Sequence, residues 1–282
     1  MSGGRAPNRS RRWAAEAGYI LPLVVVMCAI FVLPIALMLA RSLFDPQPTL
    51  EYYRQLVESS VYLRVLMRTM KIALITTGVC IVLGYVLAYW MRGLSPKGQL
   101  IAATLVVLPF WISILVRTYA WIVILGNDGI VNRTLLDIGL VGVPVAFLYN
   151  ELGVIIGTTN VLLPFLVLPL FAAMLKIDDR LMDAAASLGA SRVTIFARVF
   201  FPLSVPALAA GAILVFILTF GFYITPAVLG GGRVPMVANA LDTLINQFAR
   251  WELAAALSGV LLVVTLAAFA LSRVVGGRAS IA

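Results

Sequence analysis

The sequence predicts an all-α membrane protein built from six spanning helices. Three observations predict it. Of 282 residues, 62% are hydrophobic and only 12% charged, against about 25% charged in a soluble domain. Apolar stretches long enough to cross a bilayer, roughly 20 residues each, recur along most of the chain. The polar connections between them, such as Met91–Gln99, are too short to hold a separate soluble domain.

Each element follows in order. Residues 1–17 are basic, small and polar and read as a cytoplasmic tail. Ser10-Arg11-Arg12-Trp13 is similar to a twin-arginine signal. The run Gly18–Ala40 is too long for a signal core and lacks a small-x-small cleavage site, so it is read as an uncleaved first span. Pro22 and Pro34 are tolerated in it as kinks. The next spans are expected at Lys71–Trp90, Leu100–Leu125, Glu151–Leu175, Leu203–Tyr223 and Glu252–Leu271. The long connections at 41–70, 126–150 and 224–251 alternate with short ones and share one side of the membrane. Asn127-Asp128-Gly129 starts an outer turn leading to a short interfacial helix. Gly230–Gly232 starts another, leading to a helix with Val237, Leu241, Leu244 and Phe248 at helical spacing. The glycines there serve a flexible turn rather than a phosphate site.

Lys and Arg bias sets the orientation. With the N-terminus inside, inner segments hold twelve of these residues and outer segments eight, with Arg117 inside a span. Both termini are therefore expected in the cytoplasm, and Asp183–Pro202 faces it as well.

Composition excludes several chemistries. There is no histidine, the commonest general base and a common transition-metal ligand. Cys28 and Cys80 lie far apart inside apolar runs and read as packing residues, so neither a metal site nor a cofactor is expected. None of Lys71, Lys97 and Lys176 follows a glycine, so the chain has no P-loop; any ATP site belongs to another subunit. No carboxylate falls near a span centre, which argues against a proton-coupled carrier, although backbone carbonyls can still hold sodium. No nucleophile–base pair marks an enzyme, and no nucleic-acid partner is expected.

The stretch Asp183–Pro202 is the polar exception. Asp178 and Asp179 can cap a helix whose Leu181, Ala184, Ala185 and Leu188 share a face. Gly189 can end it in the left-handed conformation. Ser191 can cap a second short helix carrying Val193, Phe196 and Val199, and Pro202 leads into the fifth span. The expected element is a helix–turn–helix whose alanines allow close approach by a partner.

Asp183-Ala184-Ala185, then Gly189, Val199 and Phe201-Pro202 resemble, at the same intervals, the Glu-Ala-Ala loop of binding-protein-dependent ABC permeases. Asp183, Val199 and Phe201 stand where that pattern has Glu, Ile and Leu. Leu168–Ser191, Phe222–Gly232 and Trp251–Leu266 are similar to the spermidine/putrescine-type permeases. The resemblance implies a type I importer permease fold. Residues 18–67 would form a first helix and external segment, 68–273 the transmembrane domain with its coupling loop at 176–202, and 274–282 a cytoplasmic tail. It implies a bacterial inner-membrane protein, embedded in lipid, working with a cytoplasmic ATPase dimer. A second, different permease subunit and a periplasmic or extracellular substrate-binding protein complete the set. Asp183, Ala184, Ala185, Gly189, Val199 and Pro202 would then couple ATP hydrolysis to alternating access.

For the translocation path the residues to consider are polar or aromatic side chains inside spans. Asn160, Thr219, Phe222 and Tyr223 are the choice, from a wider set including Arg117, Thr158, Thr159 and Asn239. For Asn160 and Thr219, interhelical hydrogen bonding is an equal reading. Gly153 and Gly157 form a small-xxx-small packing face that either serves the bundle or meets the second subunit. The expected solute is a polyamine. The missing central acid keeps an amino-phosphonate, ferric iron or an opine open, and outside this class an ion-gradient-driven carrier.

Overall fold

The computed structural model describes residues 21–44 and 47–279. The basic tail, residues 18–20 of the first span and residues 280–282 lie outside the described residues. The described chain is helical, with no strand among its described residues and one isolated bridge between Phe44 and Pro48. Six segments among the described residues are long and apolar enough to cross a membrane.

Helix α1, Leu21–Leu43, is the first. It contains a π turn at Cys28–Val32, closed by the Leu33 N–H on the Cys28 carbonyl. Pro34 follows at once. Its missing N–H leaves a carbonyl in the preceding turn without an α-helical partner, and the wider turn accommodates the gap. A short helix α2, Glu51–Glu58, leads into α3, Ser60–Arg92. At 33 residues, α3 is about 50 Å long, well beyond the roughly 30 Å hydrocarbon layer. The expected span at Lys71–Trp90 is its central part, and the first turns stand clear of the apolar zone with Arg64 and Arg68.

The third crossing differs from expectation. Leu100–Leu125 is not one helix but two, α4 (Pro96–Val107) and α5 (Ile114–Leu125), separated by a 3-10 turn at Leu108–Trp111. Pro109 is the physical reason, since it removes a helical N–H in the middle of the run. Two twelve-residue helices rise about 18 Å each, enough together to cross. Ile114–Asp137 also qualifies as a span by composition, but the turn at Gly126–Gly129 divides it. A Cβ on Gly129 would collide with the Ile124 and Val123 carbonyls, so the chain turns there into the short amphipathic helix α6, Ile130–Asp137.

Helix α7, Glu151–Met174, is the most buried span and the axis of the bundle. The Asn150 side chain caps it by accepting from the Gly153 N–H at 3.0 Å. Pro164 and Pro169 lie inside it, tolerated because neighbouring helices shield the freed carbonyls. A short helix α8, Asp179–Ser187, precedes α9, Arg192–Phe220, the fifth span. Two short pieces, α10 (Ile224–Leu229) and α11 (Val237–Asp242, continued by a π turn to Gln247), precede α12, Trp251–Ala279. This last helix runs past its expected end at Leu271.

Helices α3, α7 and α9 pack on one another to form the main core, with Cys80, Ala88 and Met91 against Leu162, Leu166, Leu170 and Val215. Small residues set their spacing. A Cβ on Gly84 would press into Leu166, and one on Gly157 would collide with Leu229 and Thr225 of α10. The Gly153/Gly157 face is therefore used inside this chain, Gly153 against the Phe147 carbonyl and Gly157 against α10. A second core joins α2, α3, α11 and α12 through Leu56, Val65, Val237, Leu253 and Leu257.

Candidate functional site

The polar stretch folds as a hairpin at one end of the bundle. Asp178 caps α8, its carboxylate accepting from the Arg180 N–H at 2.9 Å. Asp183 lies mid-helix and exposed, with its carbonyl accepting from Ser187 Oγ at 3.0 Å. Gly189 ends the helix at φ +83°, the left-handed conformation only glycine adopts readily. The Gly189 N–H bonds the Ala186 carbonyl at 2.9 Å and the Ala190 N–H the Ala185 carbonyl at 3.1 Å, which satisfies the helix's last carbonyls. Ser191 then caps the next helix, accepting from the Thr194 N–H at 3.3 Å.

That next helix is not the separate element that the spacing predicts. Arg192 onward runs without a break through a π turn at Phe196–Phe200 into the fifth span. The Phe201 N–H closes the π turn on Phe196 O, and Pro202 follows it just as Pro34 follows the π turn of α1. The same missing N–H explains both. The hairpin's second arm and the span are thus one 29-residue rod, about 43 Å long. Val199 is half-buried in its π turn, and Pro202 is exposed one turn above.

Arg92, which the sequence reading used only as a charge, fastens this hairpin. It stands at the end of α3 and donates through Nε to the Met174 carbonyl at 3.1 Å. Its Nη2 pairs with Asp179, and its guanidinium lies over the Phe200 ring, 4.8 Å from the centroid. One side chain therefore ties together the ends of α3 and α7, the start of α8 and the π turn of α9. Tyr85 and Tyr89 of α3 pack their rings on Phe196, Phe200 and Phe201, and the Tyr85 hydroxyl meets Ser204 Oγ at 2.9 Å. A groove of about 750 Å³ opens beside this junction, lined by Tyr85, Tyr89, Trp90, Arg192 and Phe196. Of the apolar α8 residues, Met182 packs on the core, whereas Leu181 is 48% and Leu188 89% exposed. The predicted apolar face is left open.

The path residues fall in different surroundings. Thr219 is fully buried and bonds the Val215 carbonyl of its own helix at 2.7 Å. Asn160 accepts from Trp121 Nε1 at 3.3 Å, linking α7 to α5. Arg117 donates to the Pro109 carbonyl at 3.2 Å, which also accepts from the Ile112 N–H at 3.2 Å in the 3-10 turn. The hydroxyls of Thr158, Thr159 and Thr225 are buried without a protein partner. Phe222 packs on the main core.

Tyr223 is half-exposed at the end of the bundle opposite the hairpin. Its hydroxyl donates to Asp242 Oδ2 at 3.1 Å, and its carbonyl accepts from Asn239 Nδ2 at 3.1 Å. The hydrogen bond to the Asp242 carboxylate, reinforced by its charge, pushes the Tyr223 phenol above its ordinary value. Asp242 escaped the sequence reading because it is 19 residues further on, beyond the glycine turn that folds it back. Asn132 was also missed. It holds the loop between α5 and α7 by donating to the Gly126 and Val145 carbonyls and accepting from the Val145 N–H at 2.8 Å.

A bundle of six candidate spans, with one polar hairpin rigidly continuous with the fifth, fits a membrane transport subunit. The chain belongs to the family described as binding-protein-dependent transport system inner membrane component, whose model matches residues 80–280. It is 37% identical to the spermidine/putrescine transport system permease protein PotB of Haemophilus influenzae over 210 residues, 74% of this chain and 73% of the relative. PhnU of Salmonella typhimurium, whose 2-aminoethylphosphonate transport system permease name is provisional, is 30% identical over 272 residues, 93% of this chain and 92% of the relative. Among solved structures, a bacterial alginate ABC transporter in complex with an alginate-bound periplasmic protein matches with a TM-score of 0.74. That match has 23% identity and covers 95% of this chain and 96% of that one, which speaks to the fold. The protein is a multi-pass inner-membrane permease component of the ABC importer class, and not an enzyme.

Proposed function

We propose that this chain is one of two different permease subunits of an ATP-driven importer for polyamines, with both termini in the cytoplasm. The hairpin at 176–202 docks in a cytoplasmic ATPase dimer, and the opposite end receives solute from a substrate-binding protein outside. The domain lies at 68–273, behind a first helix and external segment. Asp183, Ala184, Ala185 and Gly189 form the docking arm, and Val199 and Pro202 belong to the joint with the fifth span. Asn160, Thr219, Phe222 and Tyr223 belong to the path or its supporting wall.

The observation that carries this reading is mechanical. A lever transmits force only if it is rigid and attached to what it moves, and here the hairpin's second arm and the fifth span are one helix. The Lys and Arg bias supports the orientation. The identity to PotB over three quarters of the chain supports the solute, and the solute named for PhnU shares with polyamines a primary ammonium group.

Exposed Leu188 offers the direct test. Leu188→Cys, in a background with Cys28 and Cys80 replaced, is expected to crosslink to the ATPase subunit of the assembled transporter from the cytoplasmic side. A cysteine there that reacts only with reagents added outside would overturn the orientation and the docking together.

A further inference from the structure

We infer that Asp242, with Tyr223 and Asn239, forms a binding site for a primary ammonium group at the outer mouth of the path. The inference rests on the permease reading above and adds which groups of this chain select the solute's charge. The sequence shows no acid near a span centre, which left a cationic solute without a counter-charge. Folding supplies one. The turn at Gly231 and Gly232, both at positive φ, brings α11 back to Tyr223, which follows the end of α9, and sets the Asp242 carboxylate on the Tyr223 hydroxyl at 3.1 Å.

The carboxylate is held but not neutralised. Oδ2 accepts from Tyr223 and Oδ1 from Asn246 Nδ2 at 2.6 Å, both uncharged donors. Among the described residues no lysine or arginine forms an ion pair with it, and Arg233, beside the rim, is not within ion-pair distance. Two other carboxylates on that side are neutralised, Glu58 by Arg54 and Glu151 by Lys71 and Arg68; Glu51, Asp128, Asp137 and Glu252, in no ion pair among the described residues, line no part of the cavity beside Tyr223. Each oxygen of Asp242 keeps lone-pair capacity for a further donor.

A cavity of about 210 Å³ opens at this point, lined by Tyr223, Pro226, Val234, Asn239, Asp242 and Thr243. It is smaller than the roughly 300–1,000 Å³ of pockets that enclose a whole drug-sized ligand, so it takes one end of a longer molecule. Its chemistry suits an alkylammonium: an anion for the charge, an aromatic ring for the cation's face, and prolines and a valine for the methylenes. Asn239 fixes the arrangement, donating to the Tyr223 carbonyl at 3.1 Å while its Oδ1 accepts from the Met236 N–H at 3.1 Å.

The test uses the complete transporter in proteoliposomes, with radiolabelled spermidine and 2-aminoethylphosphonate as probes. Asp242→Asn keeps the side-chain shape and its capacity to accept from Tyr223, so the loop is retained while the charge is lost. It is expected to lower spermidine uptake at sub-saturating concentration roughly tenfold or more, the scale of one charge-assisted hydrogen bond. Asp242→Glu should recover part of it. Asp137→Asn, which removes an exposed charge from α6, should leave uptake unchanged. Wild-type uptake of spermidine by Asp242→Asn overturns the site and leaves the polyamine reading standing. Wild-type uptake of the aminophosphonate alone, again lowered by Asp242→Asn, overturns the polyamine reading and supports the ammonium site. Uptake of neither probe by the wild-type transporter overturns both.

Discussion

Arg92 shows how much of the hairpin's position depends on one side chain, and the magnitudes of its contacts can be separated. The ion pair to Asp179 is the conspicuous one, but that carboxylate is 79% exposed against 19% for the arginine. Solvent screens such a pair to about 0–1 kcal/mol. The donation to the Met174 carbonyl and the stacking on Phe200 are better shielded and together contribute about 1–3 kcal/mol. Arg92→Ala is therefore expected to free the hairpin, speeding tryptic cleavage at Arg180 and Arg192 by about tenfold or more. Asp179→Asn should speed it less than about fivefold. Equal effects of the two substitutions would mean that the ion pair, not the buried contacts, holds the hairpin.

At the scale of elements, glycine spacing and proline placement decide how the helices meet. Gly157 and Gly78 both lie inside helices, yet their surroundings oppose each other. A Cβ at Gly157 collides with Leu229 and Thr225, whereas at Gly78 nothing lies within 4 Å. Gly157→Ala should destabilise by about 1–3 kcal/mol through overpacking. Gly78→Ala should stabilise by about 0.5–1 kcal/mol, because alanine restricts the unfolded chain. Thermal unfolding of the purified transporter would show melting temperatures shifted in opposite directions; shifts of the same sign would contradict the packing of α7 on α10. The fourth span and the Gly189 turn were legible from sequence because a long continuous apolar run and a left-handed glycine are local signals. The break between α4 and α5 was less so, since hydropathy does not register the N–H that Pro109 lacks. The continuity of hairpin and fifth span was hidden for a related reason. Pro202 reads as a helix start, and only the π turn before it reveals that the helix has already begun.

For the molecule as a whole, the hairpin proposed for docking and the proposed solute site are joined by one rod. Helix α9 begins at the hairpin pinned by Arg92 and ends at Phe220, three residues before Tyr223 and its contact with Asp242. The residues proposed for docking could be marked from motif spacing because they occupy one continuous stretch. The Tyr223–Asp242 contact was not, because it depends on a fold-back through Gly231 and Gly232. On the proposed function, motion of the ATPase reaches the solute path through this rod. No atom lies within 4 Å of where a Gly189 Cβ would stand, so Gly189→Asp adds only left-handed strain of about 1–2 kcal/mol and should insert normally. The decisive measurement is spermidine uptake by the complete transporter in proteoliposomes, wild type against Gly189→Asp, with ATP hydrolysis followed in parallel. Wild-type uptake should require ATP, and the variant should assemble in the membrane but lose uptake while hydrolysis becomes uncoupled from it. Undiminished uptake by Gly189→Asp, or wild-type uptake driven by an ion gradient without ATP, would contradict that coupling.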